Sequence, residues 1–205
     1  MRIISISNQK GGVGKTTTTV NLAASLAVNK KKVLLIDLDP QGNATSGAGL
    51  NKAVLSSSIY DVLIEQKTIK DVVLHSEDGL FDVAPANQSL AGAEIELVDI
   101  KNREFILKKA IETLALNYDF ILIDCPPALN LLTVNALVAS NSVLIPMQCE
   151  YYALEGLSDL VNTIRRVKKN LNPEIEIEGL LRTLFDKRNT LTKQVSDQLS
   201  SHFGP

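Results

Sequence analysis

The sequence predicts an α/β protein in which a mostly parallel central β-sheet is covered by helices on both faces. Short runs rich in Ile, Leu and Val alternate with longer segments whose apolar residues recur every three or four positions. The short runs are apolar on both faces, as strands covered from both sides must be. The chain has 205 residues, of which 45% are hydrophobic and 21% charged. That suffices for one well-buried domain without disulfide staples and excludes a disordered or low-complexity chain.

The elements follow in order. Ile3–Ile6 is a strand running into a glycine-rich turn, after which a helical pattern covers residues near 16–29. Val33–Ile36 is apolar throughout and meets Asp37-Leu38-Asp39-Pro40, a turn signal. Residues 44–80 and 86–100 are less regular and read as loops with short helices around a strand at Phe81–Ala84. A helix near 102–116 precedes the strand Phe120–Ile123; a helix near 130–139 precedes the strand Val143–Ile145. In the helix at 153–170, Leu154, Leu157, Leu160, Val161, Ile164 and Val167 form one stripe, opposite Asn162, Arg165, Arg166 and Lys169. Asn172 and Pro173 stop it. The strand Ile175–Leu184 and a helix at 190–203, closed by Phe203-Gly204-Pro205, complete the series. No internal repeat, Pro-rich linker or composition break divides the chain, so residues 1–205 read as one domain.

Lys and Arg number 21, Asp and Glu 23, a formal net charge of −2. Any contact with nucleic acid must therefore come from a local patch. Four Tyr, five Phe and no Trp argue against base-stacking modules and membrane aromatic belts. Cys125 and Cys149 make neither a disulfide framework nor a CxxC pair, and His75 and His202 lack metal-ligand spacing, so zinc is not expected. No apolar run approaches the length of a membrane span. Met1-Arg2-Ile3-Ile4-Ser5-Ile6-Ser7 runs into polar and Gly residues rather than a signal-peptide core. A soluble, cytoplasmic protein without a membrane partner is expected.

Asn8-Gln9-Lys10-Gly11-Gly12-Val13-Gly14-Lys15-Thr16-Thr17 joins the first strand to the first helix. Gly11, Gly12 and Gly14 let backbone amides approach an anion closely. The helix N-terminus adds partial positive charge and free N–H groups. Lys15 can reach β- and γ-phosphate oxygens, and the Thr16 hydroxyl suits Mg²⁺. The strict P-loop spacing asks for Gly at position 9, where this chain has Gln. The bland alternative is a glycine-rich turn with incidental lysines.

Two further stretches end strands in carboxylates, where open α/β sheets place their ligands. Asp37 and Asp39 fall on one face if the strand continues that far; alone they could equally be strand-end caps before a Pro turn. Phe120-Ile121-Leu122-Ile123-Asp124-Cys125-Pro126-Pro127 has the Walker B arrangement, in which Asp124 orients Mg²⁺ through a water. Cys125 reads as a small buried filler.

Lys10-Gly11-Gly12-Val13-Gly14-Lys15-Thr16-Thr17 resembles the deviant Walker A motif of the ParA/MinD group of P-loop ATPases, whose hallmark is the early lysine. The resemblance implies ATP and Mg²⁺ as cofactors, with residues 10–17 holding the nucleotide and Thr16, Asp37 and Asp124 near the metal. It implies catalytic roles for Lys15, for Asp39 in polarising the attacking water, and for Lys10 in reaching across a sandwich dimer to the second protomer's nucleotide. Asp37-Leu38-Asp39-Pro40-Gln41-Gly42-Asn43 is similar to the group's switch I, and Asp124-Cys125-Pro126-Pro127 to its switch II.

Asn43-Ala44-Thr45-Ser46-Gly47, Leu90-Ala91-Gly92-Ala93-Glu94-Ile95-Glu96-Leu97 and Gln148-Cys149-Glu150-Tyr151-Tyr152-Ala153-Leu154-Glu155-Gly156-Leu157 resemble the ParA/Soj partition branch. That likeness implies a nucleotide-dependent homodimer that binds double-stranded DNA without sequence preference and is stimulated by a ParB-like partner. Arg188 matches a position where relatives carry a DNA-binding arginine. Lys187, Lys193 and the Arg165/Arg166/Lys169 face could extend the patch, although charges on an exposed helix usually form only a solvated surface. ParA/Soj members continue for some fifty residues past the point matching Pro205, with a further strand, a proline-containing loop against adenine and a last helix, which this chain is expected to lack. A MinD-like membrane-associated ATPase and a small-molecule ligase or kinase on the same nucleotide fold are the alternatives.

Overall fold

The computed structural model describes residues 1–114, 118–150, 153–186 and 188–203. Among them the strands are β1 (Arg2–Ile6), β2 (Val33–Asp37), β3 (Leu74–Ser76), β4 (Phe81–Ala84), β5 (Phe120–Asp124), β6 (Ser142–Gln148) and β7 (Glu176–Thr183). The helices are α1 (Lys15–Val28), α2 (Asn43–Gly47), α3 (Ile59–Leu63), α4 (Ile69–Val72), α5 (Leu90–Glu96), α6 (Ile106–Glu112), α7 (Leu131–Ala139), α8 (Ala153–Asn170) and α9 (Thr190–Phe203). The strands form a single sheet in the order β3-β4-β2-β5-β1-β6-β7. Every neighbouring pair is parallel except β3–β4.

Strand alternation divides the core into layers. Ile4, Ile6, Val33, Leu35 and Leu122 pack on one face with Ala23 of α1. Ile3, Leu34, Ile36, Ile121 and Ile123 pack on the other with Leu107 and Ile111 of α6 and Leu132 and Ala136 of α7. At the β6 side, Val143, Ile145 and Met147 meet Leu157, Leu160, Ile164 and Val167 of α8 and Val195 and Leu199 of α9. Arg165, Arg166 and Lys169 are exposed, as the stripe predicts. At about 1.5–3 kcal/mol for each fully buried aliphatic side chain, this stripe outweighs the weak helix propensity of the β-branched residues in α8.

Three boundaries differ from expectation. β6 extends through Pro146, which a central strand should not tolerate. The ladder between β1 and β6 ends at Ile6 and Leu144, so the missing N–H of Pro146 costs no bond to β1. β3 is not expected, because Leu74-His75-Ser76 holds a single apolar residue at the end of Val72-Val73-Leu74, and as a three-residue edge it leaves Leu74 and His75 exposed. A turn closed by the Leu80 amide on the Ser76 carbonyl at 2.8 Å brings it antiparallel to β4. The helix expected near 102–116 begins as a 3₁₀ turn at Arg103–Phe105, after Asn102 takes a left-handed φ of 57°, and α6 ends at Glu112. Ala115 and Leu116, Tyr151 and Tyr152, and the closing Gly204-Pro205 lie outside the described residues.

Candidate phosphate-binding site

The loop after β1 is fixed at both ends. Asn8 donates its side-chain amide to the Pro146 carbonyl at 2.7 Å and accepts from the Lys10 amide at 3.0 Å. Gly12 and Gly14 take φ of 74° and 88°, the left-handed region that glycine enters at little cost. Gly14 stands at the N-cap of α1 with no side-chain cap, so the first amides of the helix remain available to an anion. Lys15 folds back, its Nζ donating to the Lys10 carbonyl at 3.1 Å. Burial pulls its ammonium below the usual lysine range, opposed by the charge of Asp124.

Asp37 and Asp124 are neighbours across the β2–β5 ladder, and both are fully buried. Asp124 accepts from Thr16 Oγ1 at 2.7 Å and from Thr19 Oγ1 at 2.9 Å. Asp37 accepts from the Thr45 amide and hydroxyl, each at 2.8 Å, and from the Asp39 amide at 3.1 Å. Burial raises the Asp124 carboxyl to about 7, with the Asp37 charge adding to it. Burial also raises Asp37 to about 6, against the stabilising bonds from Thr45. Leu38 packs in the same layer as Leu34 and Ile36, and its amide continues the ladder to the Asp124 carbonyl at 2.9 Å. The alternation therefore survives past the strand's last residue, and Asp37 and Asp39 share the face toward α1. Asp39 accepts from the Gln41 amide at 2.9 Å. One helix N-terminus, one buried ammonium and three carboxylates thus converge at the C-terminal end of β1, β2 and β5.

A family model described as an AAA domain matches residues 1–177. Soj of Bacillus subtilis, a sporulation initiation inhibitor protein, is 55% identical over 98% of this chain and 80% of its own length. The chromosome partitioning protein ParA of Myxococcus xanthus is 54% identical over 98% of this chain and 71% of its own. This chain belongs to the ParA/Soj family. Among solved structures, a Mycobacterium smegmatis protein named cobyrinic acid a,c-diamide synthase, bound to an ATP analogue and magnesium, superposes with a TM-score of 0.94. It is 37% identical, over 99% of this chain and 83% of that one.

In this ParA/Soj chain, Lys15, Thr16, Asp39 and Asp124 gather at one place with Gly11, Gly12, Val13 and Gly14. Thr17 faces outward from α1. Asp37 is adjacent to Asp124, but all of its bonds go to the segment 39–45, where it also serves as the strand-end cap that its sequence allowed. Lys10 Nζ is ion-paired with Glu150 of the same chain, and both side chains are largely exposed. Arg188 lies far out on the surface and is clasped by Asp186, with Nη2 to Oδ2 at 2.9 Å and Nε to Oδ1 at 3.0 Å. That pairing lowers the Asp186 carboxyl below its ordinary range. Lys187 lies outside the described residues.

Several residues of the site were not singled out by sequence. Thr19 could have been, since it stands three positions after Thr16 on one helix face. Thr45, Gln148, Glu150 and Thr183 reach the site only through tertiary structure. Cys125 is the buried filler expected of it, its thiol pushed up by burial.

Proposed function

We propose that this chain is an ATP-dependent partition ATPase that hydrolyses ATP to ADP and phosphate. The observation that carries the reading is Thr16 bonded to the buried Asp124 beside Lys15, at the mouth of an uncapped helix N-terminus. The loop amides and Lys15 hold the nucleotide's phosphates. Thr16 and Asp124 suit Mg²⁺, which takes one or two oxygen ligands from protein and the rest from phosphate and water. Two buried carboxylates with raised pKa are also the environment that a cation relieves. Mg²⁺ supplies charge neutralisation on the phosphates when bound. Asp39 orients the water whose oxygen attacks the γ-phosphorus as the bond to the bridging oxygen breaks.

Lys10 contributes in trans in the proposed reading. ATP closes a sandwich dimer, Lys10 leaves Glu150 and meets the second protomer's γ-phosphate, and the dimer binds DNA on the nucleoid until a ParB-like partner stimulates hydrolysis. Arg188 can join the DNA surface only by exchanging Asp186 for a DNA phosphate. Arg165, Arg166 and Lys169 of α8 carry no ion pair among the described residues and are the readier contacts.

Light scattering with ADP and with ATP, each with and without DNA, tests the scheme. Doubling of mass with ATP alone, and a larger complex with ATP and DNA together, is expected. A chain that stays monomeric and bare in ATP at low salt overturns the partition reading. The name of the M. smegmatis structure favours a second reading, a small-molecule synthase. Steady turnover indifferent to DNA and dimerisation would select it. The higher identity to Soj and ParA supports the first reading, and the names of these relatives give no support to a membrane-positioning ATPase.

A further inference from the structure

Thr183, the last residue of β7, stands 170 positions beyond the loop residue that it touches. Its hydroxyl donates to the Val13 carbonyl at 2.8 Å. Its methyl carbon lies 3.5 Å from where a side chain on Gly14 would begin. One strand over, the side-chain nitrogen of Gln148 lies 3.4 Å from the Gly12 carbonyl, a long and weak contact. The outer wall of the loop is thus tied to the ends of β6 and β7.

A trans peptide is planar, with its C=O and N–H on opposite sides. Anchoring the Val13 carbonyl on β7 therefore fixes the direction of the Gly14 N–H, away from Thr183. Gly14 itself cannot restrain that plane, because glycine at φ 88° has no Cβ to limit its rotation. We infer that Thr183 is a positioning residue for the phosphate loop: it holds the Val13–Gly14 peptide so that the Gly14 amide meets a bound phosphate. The inference rests on the proposed reading of this loop as a phosphate cradle.

The test uses the full chain with Mg-ADP, which is not consumed, in calorimetry on the parent, Thr183→Val and Thr183→Ser. Val keeps the shape and removes the hydroxyl; Ser keeps the hydroxyl and removes the methyl. Affinity is expected to fall roughly 3- to 10-fold in Thr183→Val, the range of one net hydrogen bond, and to stay within about twofold of the parent in Thr183→Ser. Melting without nucleotide establishes that both variants are folded. A packing role predicts the reverse order, with Ser the weaker binder, and that order overturns the inference. Parent-like affinity in Thr183→Val overturns it as well. A parent that binds no Mg-ADP defeats the cradle reading, and the inference falls with it.

Discussion

The two ends of the sheet carry polar networks of similar composition and opposite character. At the C-terminal end, Asp37 and Asp124 are fully buried, are bonded to Thr side chains, and are raised to about 6 and about 7. At the N-terminal end, Asp82 pairs with His75 Nδ1 at 2.8 Å and accepts from the Tyr118 hydroxyl at 2.8 Å. There the side chains of His75 and Asp82 are 50% and 33% exposed. Both ends place a carboxylate among hydroxyl or imidazole donors, but only one removes it from water. Burial turns a set of carboxylates into a site with a stored demand for positive charge; exposure leaves an ordinary surface pair.

The sharpest way to break this contrast is Lys15→Ala, which removes the buried cation already at the C-terminal end. Two charge-assisted bonds to phosphate, at about 1.5–3 kcal/mol each, should disappear, a loss of roughly 100-fold or more in Mg-ATP affinity. Unchanged affinity in calorimetry would end the phosphate-site assignment. Asp39→Ala should keep nucleotide binding while single-turnover hydrolysis drops by roughly 10²-fold or more. If binding is lost with it, Asp39 belongs to the metal environment or to the fold.

Asp37→Ala examines the structural half of the same cluster. It leaves the Thr45 amide and hydroxyl and the Asp39 amide without their acceptor, so urea unfolding should show a loss of about 1–3 kcal/mol. Asp37→Asn, which keeps one acceptor oxygen, should lose less. Equal stability of all three proteins would mean that burial of the charge costs as much as its bonds return.

The smallest effect is expected at the exposed end. The Asp82 hydrogen bond raises His75 above its ordinary 6.5. A raised histidine contributes stability that is complete below the unfolded value and disappears as pH climbs through the folded one. Protection of the Leu74–Ser76 amides, taken relative to their intrinsic base-catalysed exchange, should therefore fall as pH rises above 6.5, and His75→Gln should abolish that fall in protection. A ring titration at or below 6.5 by NMR would contradict the pairing.

The sequence made the frame and the chemical half of the site legible, because both depend on local pattern. Apolar runs located the parallel strands, and Gly-Lys-Thr at a strand-to-helix junction located Lys15 and Thr16. Asp124 was legible because its strand simply stops there. β3 was not, since a half-exposed edge of three residues has no apolar signature and depends on its pairing with β4. Lys10's ion pair with Glu150 and the Thr45 cap on Asp37 join residues whose approach is decided only by packing. Arg188 could be located as a basic position, but the Asp186 two residues before it draws it into a local clasp.

The strand order also has a consequence in time. β1 gains its two neighbours only from β5 and β6, whose paired residues begin at Phe120 and Ser142. During synthesis the chain's first strand must stay unpaired until most of the sequence has left the ribosome, because non-local parallel pairing waits on closing a long loop. Residues 8–15 hang from the end of that strand and lean on Pro146 and Thr183. The earliest-made part of the candidate site is therefore among the last to become ordered, and a nascent chain stopped before β6 should carry every residue of the glycine-rich loop while binding no nucleotide.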